Sequence, residues 1–410
     1  MNLDFSQSNT RLLTHGFHKY PAKMVPQIAS ALISEFGANA SLLFDPYCGT
    51  GTSLVEANVR GVDSIGSDLN PLAILISKVK TTPIELQTLE LHLNDFYKYL
   101  FPFRYHLNPK DYIVVNFPRI DFWFSKEVKN KLSIIKDYVN SIENIDIKDF
   151  FKIAFSHTIR ECSFTRNNEF KLYKMSEDQI KSFNPEPFGI MEEILGMNYL
   201  GLKSFIEERK NAKTTSLIYD FNTIDNIPQS IIIDKSIDIV VTSPPYGDSS
   251  TTVAYGQFSA LSNQWLDLME NGRSLDKNLM GGSRITDLPN FESKVLNKDI
   301  EAVKKIDDKR ALDVISFYSD YEKSIKNIST VIKPNGYACY VVSNRNVKGN
   351  ILHTDEITKD FFQQCGFNHI NTFYRKISNK RLPRYNSPKG EIGSRAELMN
   401  TESIIIMQKQ

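Results

Sequence analysis

The sequence predicts an open α/β fold, a mostly parallel, doubly wound sheet that carries a mostly helical insertion. Three observations predict it. Leu42-Leu43-Phe44-Asp45 is an apolar run that opens into a glycine turn, Pro46-Tyr47-Cys48-Gly49-Thr50-Gly51-Thr52. A second apolar run, Ile237-Asp238-Ile239-Val240-Val241, opens into Thr242-Ser243-Pro244-Pro245-Tyr246. Strand and helix patterns alternate over residues 41–80, which is the rhythm of a βαβα unit. Near-continuous apolar strands are those buried on both faces, and open α/β sheets place their ligands beyond the carboxyl ends of such strands.

The elements follow in order. Residues 21–36 carry Val25, Ile28, Ala29, Leu32, Ile33 and Phe36 at helical spacing, which predicts a helix starting near Pro21. Residues 41–45 read as a strand, 53–60 as a helix, 62–66 as a second strand ending at Ser67-Asp68-Leu69-Asn70-Pro71, and 72–80 as a helix. From about 84 to 214 the alternation stops, and long helical patterns such as 125–142 predict the insertion. Strands resume at 215–219 and 236–242. A polar stretch over 247–312 holds Gly281-Gly282-Ser283-Arg284. A long helix over 314–332 is stopped by Pro334-Asn335-Gly336; a strand at 337–343, a helix at 354–365 and an antiparallel pair at 372–376 and 402–407 close the chain. Residues 1–83 and 215–410 are thus two parts of one domain, interrupted by 84–214.

Composition narrows the function classes. A chain of 410 residues suits one large domain with an insertion, and 41% hydrophobic with 24% charged residues is ordinary for a soluble protein. No apolar run approaches ~20 residues and the amino terminus carries no basic-then-apolar pattern, so neither a membrane nor a secretory signal is expected. Cys48, Cys162, Cys339 and Cys365 are far apart without metal-ligand spacing, which fits a reducing cytoplasm and predicts no metal. The net charge of +1 excludes a basic coat but not a local patch. Arg375, Lys376, Lys380, Arg381, Arg384, Lys389 and Arg395 form one, broken only by Glu391; it is either a nucleic-acid contact or a solvated loop.

Gly49 and Gly51 let the backbone adopt positive φ and approach a ligand, but no third glycine completes a dinucleotide fingerprint. Asp68, about 20 residues on and after the next strand, is either an acceptor for ribose hydroxyls or a helix cap. Asp45 would orient the turn or an ammonium group, and Asp220 with Phe221, after the strand at 215–219, would be a third contact to the nucleoside. In Ser243-Pro244-Pro245-Tyr246 two prolines fix φ and remove two donors, leaving carbonyls as acceptors. An exocyclic amine is a poor nucleophile because its lone pair is delocalised into the ring. Acceptors on its hydrogens, the Ser243 hydroxyl and Pro244 carbonyl, return electron density to nitrogen, while Tyr246 offers a face for a base held out of its stack. No cysteine follows a proline, which argues against covalent methylation of a ring carbon.

These residues resemble the amino-methylating DNA methyltransferases. The glycine turn is similar to the family's cofactor motif, and Thr242 to Tyr246 is similar to its catalytic tetrapeptide in the Ser-Pro-Pro-Tyr form commonest among cytosine-N4 enzymes. His15-Gly16-Phe17-His18-Lys19-Tyr20-Pro21-Ala22-Lys23 resembles the amino-terminal motif beside the cofactor's methionine part. The resemblance covers about 1–80 and 215–410 and implies a Rossmann-like S-adenosylmethionine-dependent methyltransferase sheet. It implies a site-specific enzyme that methylates the N4 amine of a flipped cytosine in double-stranded DNA, with a cognate restriction endonuclease as partner. The alternatives are adenine-N6 methylation or a DNA-recognition subunit without catalysis. The implied cofactor contacts are His18, Tyr20, Pro21, Lys23, Asp45, Pro46, Cys48, Gly49, Thr50, Gly51, Thr52, Asp68, Leu69, Asp220 and Phe221. DNA is expected at Arg160, Arg166, Asn167 and Lys171 in the insertion, because Arg and Asn make bidentate base contacts, and at Arg375, Lys380, Arg381 and Arg384. The insertion and the stretch 247–312 are both candidates for target recognition.

Overall fold

A computed structural model describes residues 3–106, 112–166, 171–210, 212–248, 253–269, 272–285, 288–377, 385–386, 396–397 and 401–410. A seven-stranded sheet organises the chain: β1 (Leu42–Asp45), β2 (Asp63–Ser67), β3 (Ser216–Tyr219), β4 (Ile237–Thr242), β5 (Ile332–Val342), β6 (Phe367–Lys376) and β7 (Thr401–Lys409). Their order is β3-β2-β1-β4-β5-β7-β6; all neighbours are parallel except β7, which runs antiparallel to both β5 and β6. The order reverses between β1 and β4, so the loops leaving these strands diverge and open a crevice.

Alternation along the strands sends side chains to two cores. Phe44, Val240, Tyr340 and Ile405 lie in one, with the helices Lys294–Lys304, Asp308–Val331 and Thr354–Gln364. Leu43, Ile239, Val341 and Ile404 lie in the other, with α1 (Pro26–Phe36) and α2 (Thr52–Val59). The Asp238 carboxylate fastens the sheet's lower edge, accepting from Ser41 N, Ser41 Oγ and Leu42 N at 2.9, 2.7 and 2.9 Å and pairing with Lys333 at 2.5 Å.

Residues 86–208 form the helical segment, including the helices Leu86–Leu100 and Lys126–Ser141, the central helix Ile145–Cys162 and the long helix Pro187–Glu208. Its core is continuous with Phe17 and Tyr20 of the amino-terminal segment, with the helix Pro71–Thr81, and with Phe258, Leu261 and Trp265. The segment is therefore built into the domain rather than appended to it.

Three details differ from the sequence reading. The first helix begins at Pro26, not Pro21. Ala22 has φ +52° and breaks the spiral, and Lys23 Nζ turns back to the carbonyls of His15 and His18 at 3.2 and 3.1 Å. The stretch 247–312 contains the helices Tyr255–Trp265, Gly272–Asn278 and Lys294–Lys304, each short enough to be masked by its polar faces. β5 starts at Ile332 and runs through Pro334-Asn335-Gly336, with a register shift against β4 between Ile237 and Ile239.

Candidate active site

One cleft lies at the switch point, over the carboxyl ends of β1, β2 and β4. It is lined by the amino-terminal segment 20–24, the turn after β1, Asp68-Leu69-Asn70 after β2, residues 221–224 after β3, and Ser243, Pro245 and Gly247 after β4. Val253, Tyr255, Leu279 and Met280 complete it.

The turn after β1 is held from beneath. Gly49 and Gly51 have φ of +50° and +73°, and Gly51 N donates to Cys48 O at 2.7 Å. A Cβ on Gly49 would meet nothing within 4 Å, whereas one on Gly51 would stand 2.3 Å from Ser77 Oγ. Gly49 thus faces free space and Gly51 lets two helices meet. Gly51→Ala should cost about 1–2 kcal/mol from the left-handed backbone alone, plus the clash; thermal unfolding checks it, and a wild-type midpoint would refute it. Lys80, fully buried, donates to Thr50 O at 2.6 Å, and burial holds its ammonium well below the usual range. The Thr50 hydroxyl is buried at the cleft and has no hydrogen-bond partner among the described residues.

Two carboxylates flank the turn. Asp68 Oδ2 accepts from Gly49 N at 3.0 Å and Oδ1 from Asn70 N at 2.8 Å. It therefore spans the turn and the start of the next helix while remaining part-exposed to the cleft. Asp45 accepts from Thr242 Oγ1 at 2.5 Å and from Tyr47 N at 3.2 Å, which ties the end of β1 to the residue before Ser243. Burial pushes both carboxyls up to about 6, against the hydrogen bonds they accept. Asn70 caps the helix Pro71–Thr81 through Leu72 N and donates to Tyr20 OH at 2.8 Å and Ser259 Oγ at 3.0 Å. Tyr20 stacks on Tyr255 with ring centroids 5.9 Å apart. Lys23 lines the cleft, and burial lowers its ammonium to about 8.

At the second loop Ser243 Oγ donates to Val341 O at 3.1 Å and lies 3.2 Å from Tyr246 OH, which donates to Glu402 Oε1 at 3.1 Å. Ser243 and Pro245 line the cleft; Pro244 is buried behind them, and Tyr246 is turned so that its hydroxyl meets Ser243.

The structure brings most of the expected residues together. Tyr20, Pro21, Lys23, Asp45, Pro46, Cys48, Gly49, Thr50, Thr52, Asp68, Leu69 and Phe221 all line the cleft. His18 does not. It is buried against the central helix, with Nε2 2.9 Å from Ser156 Oγ and its ring beside His157. Asp220 is exposed and outside the cleft, because alternation along β3 turns Phe221 inward; Asn222 takes the polar position there. Arg160 is no base reader in this fold. It is buried, its guanidinium stands 4.0 Å over the Phe258 ring and donates to Phe258 O at 3.3 Å. Arg160→Ala should lower stability by about 1–2 kcal/mol without altering any methylated sequence; a changed methylation motif in the mutant would count against that. Arg375 is likewise buried, paired with Glu402 at 2.7 Å. Arg166 is exposed and Lys171 half-buried at the edge of the insertion. Asn167, Lys380, Arg381 and Arg384 lie outside the described residues. Sequence reasoning missed Asn70, Leu279 and Met280; only the Asn-Pro pair at 70–71, a cap signal, pointed to one of them.

Residues 17–88 match the family model described as RMKL-like, methyltransferase domain (UPF0020). The Type II methyltransferase M.MvaI of Kocuria varians is 40% identical over 427 residues, spanning 99% of this chain and 93% of that protein. M.BsoBI of Geobacillus stearothermophilus is 22% identical over 461 residues, 98% of this chain and 87% of its own length. M.MjaII of Methanocaldococcus jannaschii matches more locally, 30% identical over 123 residues, 29% of this chain and 23% of its own. With the cleft at the switch point of a parallel sheet and this identity along nearly its entire length, the chain belongs to the Type II methyltransferases, S-adenosylmethionine-dependent enzymes that methylate DNA.

Proposed function

We propose that the chain methylates the exocyclic N4 amine of a cytosine held out of a DNA duplex, at a specific sequence, within a restriction-modification system. The observation that carries this reading is that Ser243 and Asp68 open on one cleft, with a turn between them whose Gly49 faces free space. The residues present fit S-adenosylmethionine. Asp68 offers a carboxylate for ribose hydroxyls, Thr50 an orphaned buried hydroxyl, Lys23 a cation and Asp45 an anion near the turn. When bound, that cofactor supplies an electrophilic methyl group on a sulfonium.

The chain's own residues supply orientation and polarity. Ser243 Oγ accepts a hydrogen bond from the amine, and the Pro244 carbonyl accepts one from its second hydrogen; as the nitrogen lone pair binds the methyl group the methyl–sulfur bond breaks, and one amine proton passes to solvent. Both acceptors gain strength as positive charge grows on nitrogen, so they lower the barrier rather than the ground state. The Asp45–Thr242 bond at 2.5 Å fixes the distance between the two loops, which sets proximity between donor and acceptor. Val253, Tyr255 and Met280 exclude water from the shared cleft. Base recognition falls to the exposed edge of the insertion around Arg166 and to the part of the basic stretch that follows β6 in sequence, Lys380, Arg381 and Arg384; a cognate endonuclease would share the recognised sequence.

Plasmid DNA methylated by the protein in a host without other methylases, digested to nucleosides and weighed, tests the reading. N4-methyl-2′-deoxycytidine is expected; N6-methyl-2′-deoxyadenosine alone would move the target to adenine and leave the acceptor chemistry standing, and unmodified DNA would refute it.

A further inference from the structure

β7 runs antiparallel to β5, with Ser403 opposite Val342 and Ile404 opposite Val341. Glu402 therefore stands just past the carboxyl end of β5, beside the loop that leaves β4. Ser343 Oγ donates to Thr401 O at 3.0 Å and fastens this crossing. Across the other pairing, Glu402 is opposite Arg375 of β6, whose Nη1 lies 2.7 Å from Glu402 Oε2. Both side chains are largely buried, Arg375 6% and Glu402 15% exposed. The remaining oxygen, Oε1, accepts from Tyr246 OH at 3.1 Å.

A carboxylate has no proton to give, so the direction of this chain is fixed. Tyr246 donates to Glu402, and its oxygen is left as an acceptor toward Ser243 Oγ at 3.2 Å. The other neighbour of Ser243, the Val341 carbonyl at 3.1 Å, is also acceptor-only. Both neighbours call on the one serine proton and neither occupies a serine lone pair. Burial, then the charge of Glu402, pushes the Tyr246 phenol well above its usual range, so the hydroxyl keeps its hydrogen.

We propose that Glu402, clamped by Arg375, is a positioning residue that sets the hydrogen-bond polarity of the catalytic tetrapeptide and keeps the Ser243 oxygen an acceptor toward the target amine. The proposal rests on the role given to Ser243 above. It predicts more than packing. In Glu402→Gln the amide oxygen turns to Arg375, which can only donate, and the amide NH2 turns to Tyr246. Tyr246 then accepts from the amide and places its own proton on Ser243, where it competes with the amine.

Single-turnover methyl transfer, with cofactor and a DNA duplex both saturating, tests this. Glu402→Gln should slow the transfer step on the order of tenfold or more, the worth of a misdirected charge-assisted bond. Its cofactor and DNA dissociation constants should stay within about twofold of wild type, because the loss belongs to the chemical step. Glu402→Asp keeps an acceptor and should recover much of the rate. In a Tyr246→Phe background the chain is already cut, so adding Glu402→Gln should cost nothing further. A wild-type transfer rate in Glu402→Gln overturns the proposal. So does a full extra loss in the Tyr246→Phe background, which also decides the matter if the single variant folds poorly. Equal losses in the Gln and Asp variants together with weakened cofactor binding mark a structural role and overturn it too. Wild-type activity in the same assay tests the function reading separately: its absence overturns that reading and this proposal with it.

Discussion

Ser243→Ala is expected to reduce methyl transfer on the order of a hundredfold, the scale of losing one preorganised polar contact to developing charge. The hydroxyl stands at the cleft with its proton engaged by Val341 O and Tyr246 OH, so the alanine removes an acceptor and little else. DNA and cofactor affinity should change little, since the contact strengthens only as the amine becomes cationic. Tyr246→Ala should fall in the same range, because it removes the hydroxyl that takes the Ser243 proton together with the ring that carries it. Rapid-quench transfer of a labelled methyl group separates these effects from binding. Full turnover in Ser243→Ala would show that the amine finds its acceptors elsewhere.

Asp68→Ala should weaken cofactor binding roughly tenfold to a hundredfold, since a hydrogen bond to a charged group is worth about 1.5–3 kcal/mol and two hydroxyls are served. The same substitution frees Gly49 N and Asn70 N, so the turn also loses its brace. The pH dependence has a definite sign. Burial raises the Asp68 carboxyl to about 6, above the unfolded value of about 3.9. Protonation is thus favoured in the fold, and this group's contribution to stability is largest below about pH 4 and declines as pH rises through about 6. Cofactor affinity runs the other way, because the ionised form is the better acceptor. It should rise through about pH 6 and level off above it, and Asp45, raised to the same value, should steepen the rise. Calorimetric titration between pH 5 and 8 checks this in wild type and in Asp68→Asn; a pH-independent affinity in wild type would remove Asp68 from the cofactor.

The contrast between Asp68 and Asp220 shows how far local pattern reaches. Both follow strands and both read as nucleoside contacts. Asp68 braces the turn because Gly49 N and Asn70 N converge on it, and Asn70-Pro71 announced a helix start there. Asp220 meets no such pair of amides among the described residues, and alternation past the end of β3 turned it to solvent and Phe221 to the cleft.

The sequence by itself determined the strands β1, β2 and β4, the second half of β5, and the two loops that leave β1 and β4. Each depends on residues within a few positions of one another: an apolar run, a glycine at positive φ, two successive prolines. Tertiary structure alone decided which distant groups meet them. Arg160 and Arg375 belong to stretches that look suited to DNA, yet one lies over Phe258 and the other against Glu402. A buried guanidinium must find a ring or a carboxylate to offset its desolvation, and that partner lies 98 residues away for one and 27 for the other. Glu402 reached Tyr246 across 156 positions only because β7 reverses direction beside β5. Strand order is set by the competition among whole faces for burial, and no short window of sequence records its outcome.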